Sequence, residues 1–227
     1  MTAPFTVALT RPEPQATSTA QKLLRAGYGV LKAPLLHATP LPGWGEADGI
    51  GALALTSRTA AMLLAEHPAF HAIPTFCVGE ATADDARKSG AGTVTVAGGD
   101  VDALFAVLCA QATPPIVHLC GEDHRGALAE RLQAAGIHAE RRIVYKMVAA
   151  TRLPTPNTPP DAALLYSPRT AKIYAGLATA PPWRDVACVA LSPAVAAPLA
   201  ASAVVAATPD ETALLGALES VRAAAPA

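Results

Sequence analysis

One grammar recurs wherever this 227-residue chain has side chains that could do chemistry. An apolar run ends, and a small hydroxyl or a glycine follows at the turn into an amphipathic stretch. Thr56 and Ser57 follow the run from Ile50 to Leu55. Gly79 and Thr82 follow Thr75 to Val78, Ser167 follows Ala162 to Tyr166, and Ser192 follows Val186 to Leu191. Thr10-Arg11-Pro12 and Cys120-Gly121-Glu122 close two further runs in the same way. Each places free backbone N–H groups at a strand's carboxyl end, where a helix begins and anions bind. Taken singly, each hydroxyl is accounted for as an N-cap worth about 1 kcal/mol. Several of them on corresponding strand ends make a surface of neutral donors, suited to a flexible ligand that carries many carboxylates.

Tyr145 is the other candidate. It lies at the end of a long strand-like stretch from Ile137 to Met147. A phenol there can give a proton to a leaving hydroxyl; it can equally pack as an interface tyrosine against the linker that follows.

Other chemistries lack their residues. No G-x-x-x-x-G-K-[ST] phosphate loop and no G-x-S-x-G elbow occur. Gly27-Tyr28-Gly29 and Gly43-Trp44-Gly45 are not strand-to-helix turns, so no dinucleotide cofactor is expected. His118 and His124 bracket Cys120 and Glu122, but from opposite sides of a turn, which argues against a metal site. Asp84 and Asp85 read as a solvated helix face. The four cysteines, Cys77, Cys109, Cys120 and Cys188, are widely spaced in apolar runs and read as buried thiols of a reducing compartment. A net charge of −1 gives no field for nucleic acid and no polybasic patch for a membrane surface. The start lacks a signal-peptide pattern, and the weakly polar run from Ala194 to Ala207 is too short to span a bilayer. A cytoplasmic protein is expected.

The elements that must hold these residues alternate strand and helix throughout, which predicts parallel, doubly wound sheets. The chain is 52% hydrophobic and 4% aromatic, as alanine-rich helices on Val/Leu/Ile strands require. The spacing predicts a first helix from Glu13 to Ala26 with Pro12 near its first position. Helices are also expected at 59–66, 81–89, 101–110, 125–135, 170–177, 194–201 and 211–223. Two proline-rich stretches, 35–47 and 148–160, read as linkers. The segment 1–34 holds too little to bury a core alone, so it must pack with 161–227 as one discontinuous lobe, leaving 48–147 as an inserted lobe. An offset of about 110 residues relates the halves: Ser57-Arg58-Thr59-Ala60 echoes Pro168-Arg169-Thr170-Ala171, Cys77-Val78 echoes Cys188-Val189, and Leu23 to Gly27 echoes Leu132 to Gly136. Two similar lobes are expected, with a cleft between them as the default ligand site and two chain crossings that permit closure.

In order and spacing these motifs resemble the uroporphyrinogen-III synthase family over nearly the whole chain. Thr10-Arg11-Pro12, Leu24 to Gly27 with Pro34, Thr56-Ser57 with Ala60, Val78 to Ala83 with Gly90, Cys120-Gly121-Glu122 with Arg125, Leu132, Gly136 and Val144-Tyr145, Ser167-Pro168, and Pro209 to Leu218 carry the likeness. The resemblance implies an α/β fold of two similar parallel-sheet, flavodoxin-like lobes joined by a two-crossing linker, lobe one discontinuous. It implies a cofactor-free lyase of heme and other tetrapyrrole biosynthesis. The substrate is hydroxymethylbilane, closed to uroporphyrinogen III with ring D inverted and water lost, through an azafulvene and a spiro intermediate. It also implies a monomer, with a transient contact to the enzyme supplying the bilane left open. By position, Tyr145 matches the tyrosine thought to assist hydroxyl loss, and Thr56, Ser57, Thr82 and Ser167 match substrate-binding hydroxyls. Gly79 belongs to the same set. Where many members have Gly then Thr, this chain reads Leu191-Ser192-Pro193-Ala194-Val195, so Ser192 stands in for the threonine. The competing reading is a non-catalytic bilobal binding protein or sensor for a small polyanion. A nucleotide-dependent enzyme is disfavoured by the missing phosphate loop.

Overall fold

The structure, a computed structural model, describes residues 4–123, 126–199 and 203–225. Its elements in chain order are β1 (Thr6–Leu9), α1 (Gln15–Arg25), β2 (Gly29–Lys32), β3 (Leu36–Pro40), β4 (Ala52–Leu55), α2 (Arg58–Leu63), β5 (Thr75–Cys77), α3 (Glu80–Lys88), β6 (Val94–Val96), α4 (Val101–Gln111) and β7 (Ile116–Gly121). Then come α5 (Leu128–Ala134), β8 (Ala139–Ala149), β9 (Ala162–Leu165), α6 (Pro168–Leu177), β10 (Ala187–Ala190), α7 (Pro193–Ala196), β11 (Val204–Val205) and α8 (Glu211–Ala224).

The chain divides into two compact units, 1–37 with 148–227, and 38–147. The first, lobe one, carries a five-stranded sheet in the order β11-β10-β9-β1-β2, parallel at every pairing. The second, lobe two, carries the order β3-β8-β7-β4-β5-β6, with β4 to β8 paired in parallel. Both sheets are buried on both faces. In lobe one, Val7, Leu9 and Leu164 pack under α1 and α8, while Ala8, Ala163 and Leu165 pack under α6 and α7. In lobe two, Leu53, Leu55, Val117 and Leu119 face α2 and α3, while Ala52, Ala54 and Ile116 face α4 and α5. Each fully buried leucine stabilises its lobe by about 2 kcal/mol.

The repeat resolves into a swap. Read from β9, lobe one runs β9, β10, β11, β1, β2; read from β4, lobe two runs β4, β5, β6, β7, β8. In those terms both sheets have the same spatial order, third-second-first-fourth-fifth. Apart from the edge strand β3, which lobe two has in addition, each half of the chain therefore gives two strands to one lobe and three to the other. The repeated Leu-to-Gly segment is one cap used twice. Gly27 and Gly136 both adopt positive φ (80° and 79°), and Tyr28 N and Ile137 N bond back to Leu23 O and Leu132 O at 3.1 and 3.0 Å. That is the glycine-terminated helix end in both lobes.

Several boundaries differ from the sequence reading. The first helix begins at Gln15 with Pro14, not Pro12, in the flanking position. The helix at 59–66 stops at Leu63 and tightens into a 3₁₀ turn over 64–66. The stretch 35–47, read as linker, contains β3 and the buried Trp44, whose indole stacks on His67 with ring centroids 3.7 Å apart. Strand β8 starts at Ala139 and runs to Ala149, past the expected end at Met147, with an irregularity between Ile143 and Tyr145. The helix expected at 194–201 is described only as α7, and Ala200, Ala201 and Ser202 lie outside the described residues. Cys77, Cys120 and Cys188 are buried, but Cys109 is exposed on α4. No helix among the described residues is long and apolar enough to cross a membrane.

Candidate active site

Adjacent central strands of each lobe send their helices to opposite faces. After β4 the chain goes to α2 on one face, and after β7 to α5 on the other. Beyond the carboxyl ends of such a strand pair a crevice must open, and α/β proteins bind ligands there. In lobe two a pocket of about 250 Å³ lies at this point, lined by Thr56, Ser57, Val101, Cys120, Gly121, Asp123 and Tyr145.

The side chains are placed by short local rules. Strand β4 is buried along its length, so Thr56 and Ser57 are the first residues free to meet solvent. Ser57 is extended (φ −132°, ψ 130°) and is the N-cap of α2, but its hydroxyl lies 3.5 Å from Ala60 N and only 2.8 Å from Tyr145 Oη. Its stronger partner is the tyrosine. Tyr145 reaches this position through a register shift, in which Cys120 pairs with Ile143 and Gly121 with Tyr145, skipping the buried Val144. Glu122 N donates to Tyr145 O at 2.9 Å and locks the shift. The ring lies over Gly121, where a Cβ would come within 2.5–2.8 Å of Cζ, Cε2 and Oη. Thr56 is held from beneath, its Oγ1 2.9 Å from Nε2 of the buried His118. That histidine, weighed as a metal ligand in the sequence, acts inside β7 as a partner of the pocket wall. His124 and Arg125 lie outside the described residues.

Burial raises the pKa of Tyr145 above the usual tyrosine value, with the Ser57 hydroxyl pulling the other way. The phenol is therefore protonated at neutral pH and can act as an acid. Burial of neighbouring Cys120 pushes its thiol up to about 11, which leaves it a poor nucleophile. Burial likewise raises Tyr28, Tyr166 (to about 12) and Tyr174. All four tyrosines of the chain thus have folded pKa values above the unfolded value near 10. Their stabilising contribution is whole below pH 10 and is lost as pH rises through the folded values. The phenolate absorbance of the native protein should rise at higher pH than that of the urea-unfolded chain; coincident curves would contradict this.

The remaining predicted residues separate into two groups. Ser167 is the N-cap of α6 and makes a capping box with Thr170, accepting from Thr170 N at 3.1 Å. It lines an equivalent pocket of about 270 Å³ in lobe one, with Arg11, Pro12, Gln15, Leu36, Tyr166 and Thr170. Gly79, Thr82 and Ser192 line neither pocket. Gly79 is the N-cap of α3, while Thr82 is not a cap but is buried inside the first turn. Ser192 precedes a four-residue helix and makes no side-chain cap bond. Asp85, read as solvated, is buried against Arg58, with Nε–Oδ2 at 2.6 Å and Nη2–Oδ1 at 3.3 Å. The helix periodicity around Asp85 could have signalled its inward face; its partner, 27 residues away, could not be found that way.

A two-lobed α/β chain with a pocket at each switch point, each lined by a tyrosine and hydroxyl side chains, is an architecture suited to a small-molecule enzyme. Comparison narrows it. A family model described as uroporphyrinogen-III synthase HemD matches residues 17–216, and the chain belongs to that family. The fold is similar to a uroporphyrinogen-III synthetase from Helicobacter pylori, with TM-score 0.60, 17% identity, and 95% of this chain and 99% of that one covered. Uroporphyrinogen III synthase from Thermus thermophilus aligns at 14% identity and TM-score 0.41, covering 96% of this chain and 97% of that one. No curated protein sequence matches the chain.

Proposed function

We infer that this chain is a uroporphyrinogen-III synthase, a cyclising lyase of tetrapyrrole biosynthesis that converts hydroxymethylbilane to uroporphyrinogen III. Family membership over residues 17–216 carries the reading. The isomer of the product tests it, since the bilane closes unaided to the type I macrocycle.

The reaction loses one hydroxyl from the bilane as water and joins ring D through its substituted carbon. A leaving hydroxyl needs a proton, and Tyr145 is the acid we assign to it. In support, its phenol is kept protonated by burial and held by Ser57 at 2.8 Å on the wall of a pocket. Thr56, fixed by His118, and the turn at Ser57 offer neutral donors to the substrate's carboxylate arms. Gly79, Thr82 and Ser192 stay in the proposal as binding candidates, and the Ser192 hydroxyl is not spent on a cap. Departure of the hydroxyl is intrinsically easy, so much of the rate comes from holding the chain in the conformation that inverts ring D.

Tyr145→Phe keeps the ring and removes the acid. Turnover should fall about tenfold, less than the 10²–10⁴ of a demanding proton transfer, with KM little changed. Full activity in the folded variant would remove the acid role. We also place the protein in the cytoplasm as a monomer, in keeping with free thiols at all four cysteines. A brief contact with the enzyme that releases the bilane fits a substrate that closes on its own.

A further inference from the structure

The swap makes the two pockets equivalent position by position. Thr56 and Ser57 of lobe two correspond to Tyr166 and Ser167 of lobe one, and Cys120, Gly121 and Tyr145 correspond to Arg11, Pro12 and Leu36, each at an offset of about 110 residues. One ancestral site is thus present twice, with different contents. At the position of Tyr145 lobe one has Leu36, and its own phenol, Tyr166, stands instead at the position of Thr56, beneath Arg11. Where lobe two has a buried thiol, lobe one has a guanidinium.

We propose that the lobe-one pocket is a dedicated carboxylate subsite for an acetate or propionate arm of the tetrapyrrole, with Arg11 as its anchor; this rests on the synthase reading. The guanidinium is preorganised. Its Cζ lies 4.4 Å above the Tyr166 ring, and Nη1 donates to Thr19 Oγ1 at 3.0 Å and to Glu211 Oε1 at 3.1 Å. Both bonds fall on Nη1, and the guanidinium also interacts with the Tyr166 hydroxyl while lining the pocket. Glu211 is shared with Lys22, so two cations face one carboxylate and the cluster keeps a net positive charge. The Arg11 side chain is 24% exposed, enough for contact and little enough to limit screening. A fixed planar fork of this kind is the side chain best matched to a carboxylate.

The test uses uroporphyrin III, a stable octacarboxylate, titrated by porphyrin fluorescence, alongside bilane kinetics. Arg11→Gln should weaken porphyrin binding about tenfold and raise KM with kcat nearly unchanged. Glu211→Gln removes the same internal ion pair but spares the guanidinium, and should bind the porphyrin at least as tightly as wild type. A merely structural Arg11 would make both variants lose affinity together, and that result, or unchanged binding in Arg11→Gln, overturns the proposal. Failure of the synthase reading is separate: it would appear as type I product from the wild-type protein.

Discussion

Replacing Gly121 by alanine should cost about a hundredfold in kcat/KM, because it both displaces the Tyr145 phenol and drives the ring into the pocket, misplacing the substrate by about 1 Å. The added methyl would meet the Tyr145 ring at 2.5–2.8 Å, closer than any stable contact. The ring is the part most able to yield, because the Gly121 backbone is held at the end of β7 by its pairing with β8. It must swing off Ser57 into the pocket that the substrate enters. Gly121→Ala should therefore lose more than Tyr145→Phe and, unlike it, should raise KM. Steady-state kinetics on both variants checks the order. A Gly121→Ala enzyme as active as Tyr145→Phe would mean that the phenol's placement over Gly121 is irrelevant to the reaction.

Asp85→Ala should destabilise the protein by about 3 kcal/mol, lowering the urea midpoint without changing the slope. The carboxylate is 10% exposed and the guanidinium of Arg58 22% exposed, so little water can replace the lost partner. The pair ties α2 to α3, and Arg58 directly follows Ser57, so its loss also loosens the turn that holds Tyr145. A loss under 1 kcal/mol would place this pair with ordinary surface ion pairs.

These two sites differ in how far the chain's own pattern reveals them. Thr56, Ser57 and Ser167 were readable because a buried strand must end where hydroxyls replace leucine and valine, and a helix start needs an acceptor. Tyr145 was readable as the end of a long strand, but its bond to Ser57 depends on a one-residue register shift that periodicity does not encode. Strand β3 was hidden because Pro34 and Pro42 flank it and Pro40 ends it; it lies at the sheet edge, where proline is tolerated. Asp85 and Arg11 look like surface charges until partners from distant segments close over them. The repeat at about 110 residues was visible, but only strand order turns it into a swap and aligns Leu36 with Tyr145. Thr82 shows the opposite error: a threonine five residues past the end of β5 mimics a cap, while Gly79 fills that role.

The central claim is that this chain steers the bilane to the inverted ring. The most direct measurement generates hydroxymethylbilane in situ, adds the protein, oxidises the products and separates the uroporphyrin isomers. The predicted result is a shift to the type III isomer, falling back toward type I in Gly121→Ala. Type I alone, from folded wild-type protein, would contradict the account and leave a bilobal polyanion-binding protein in its place.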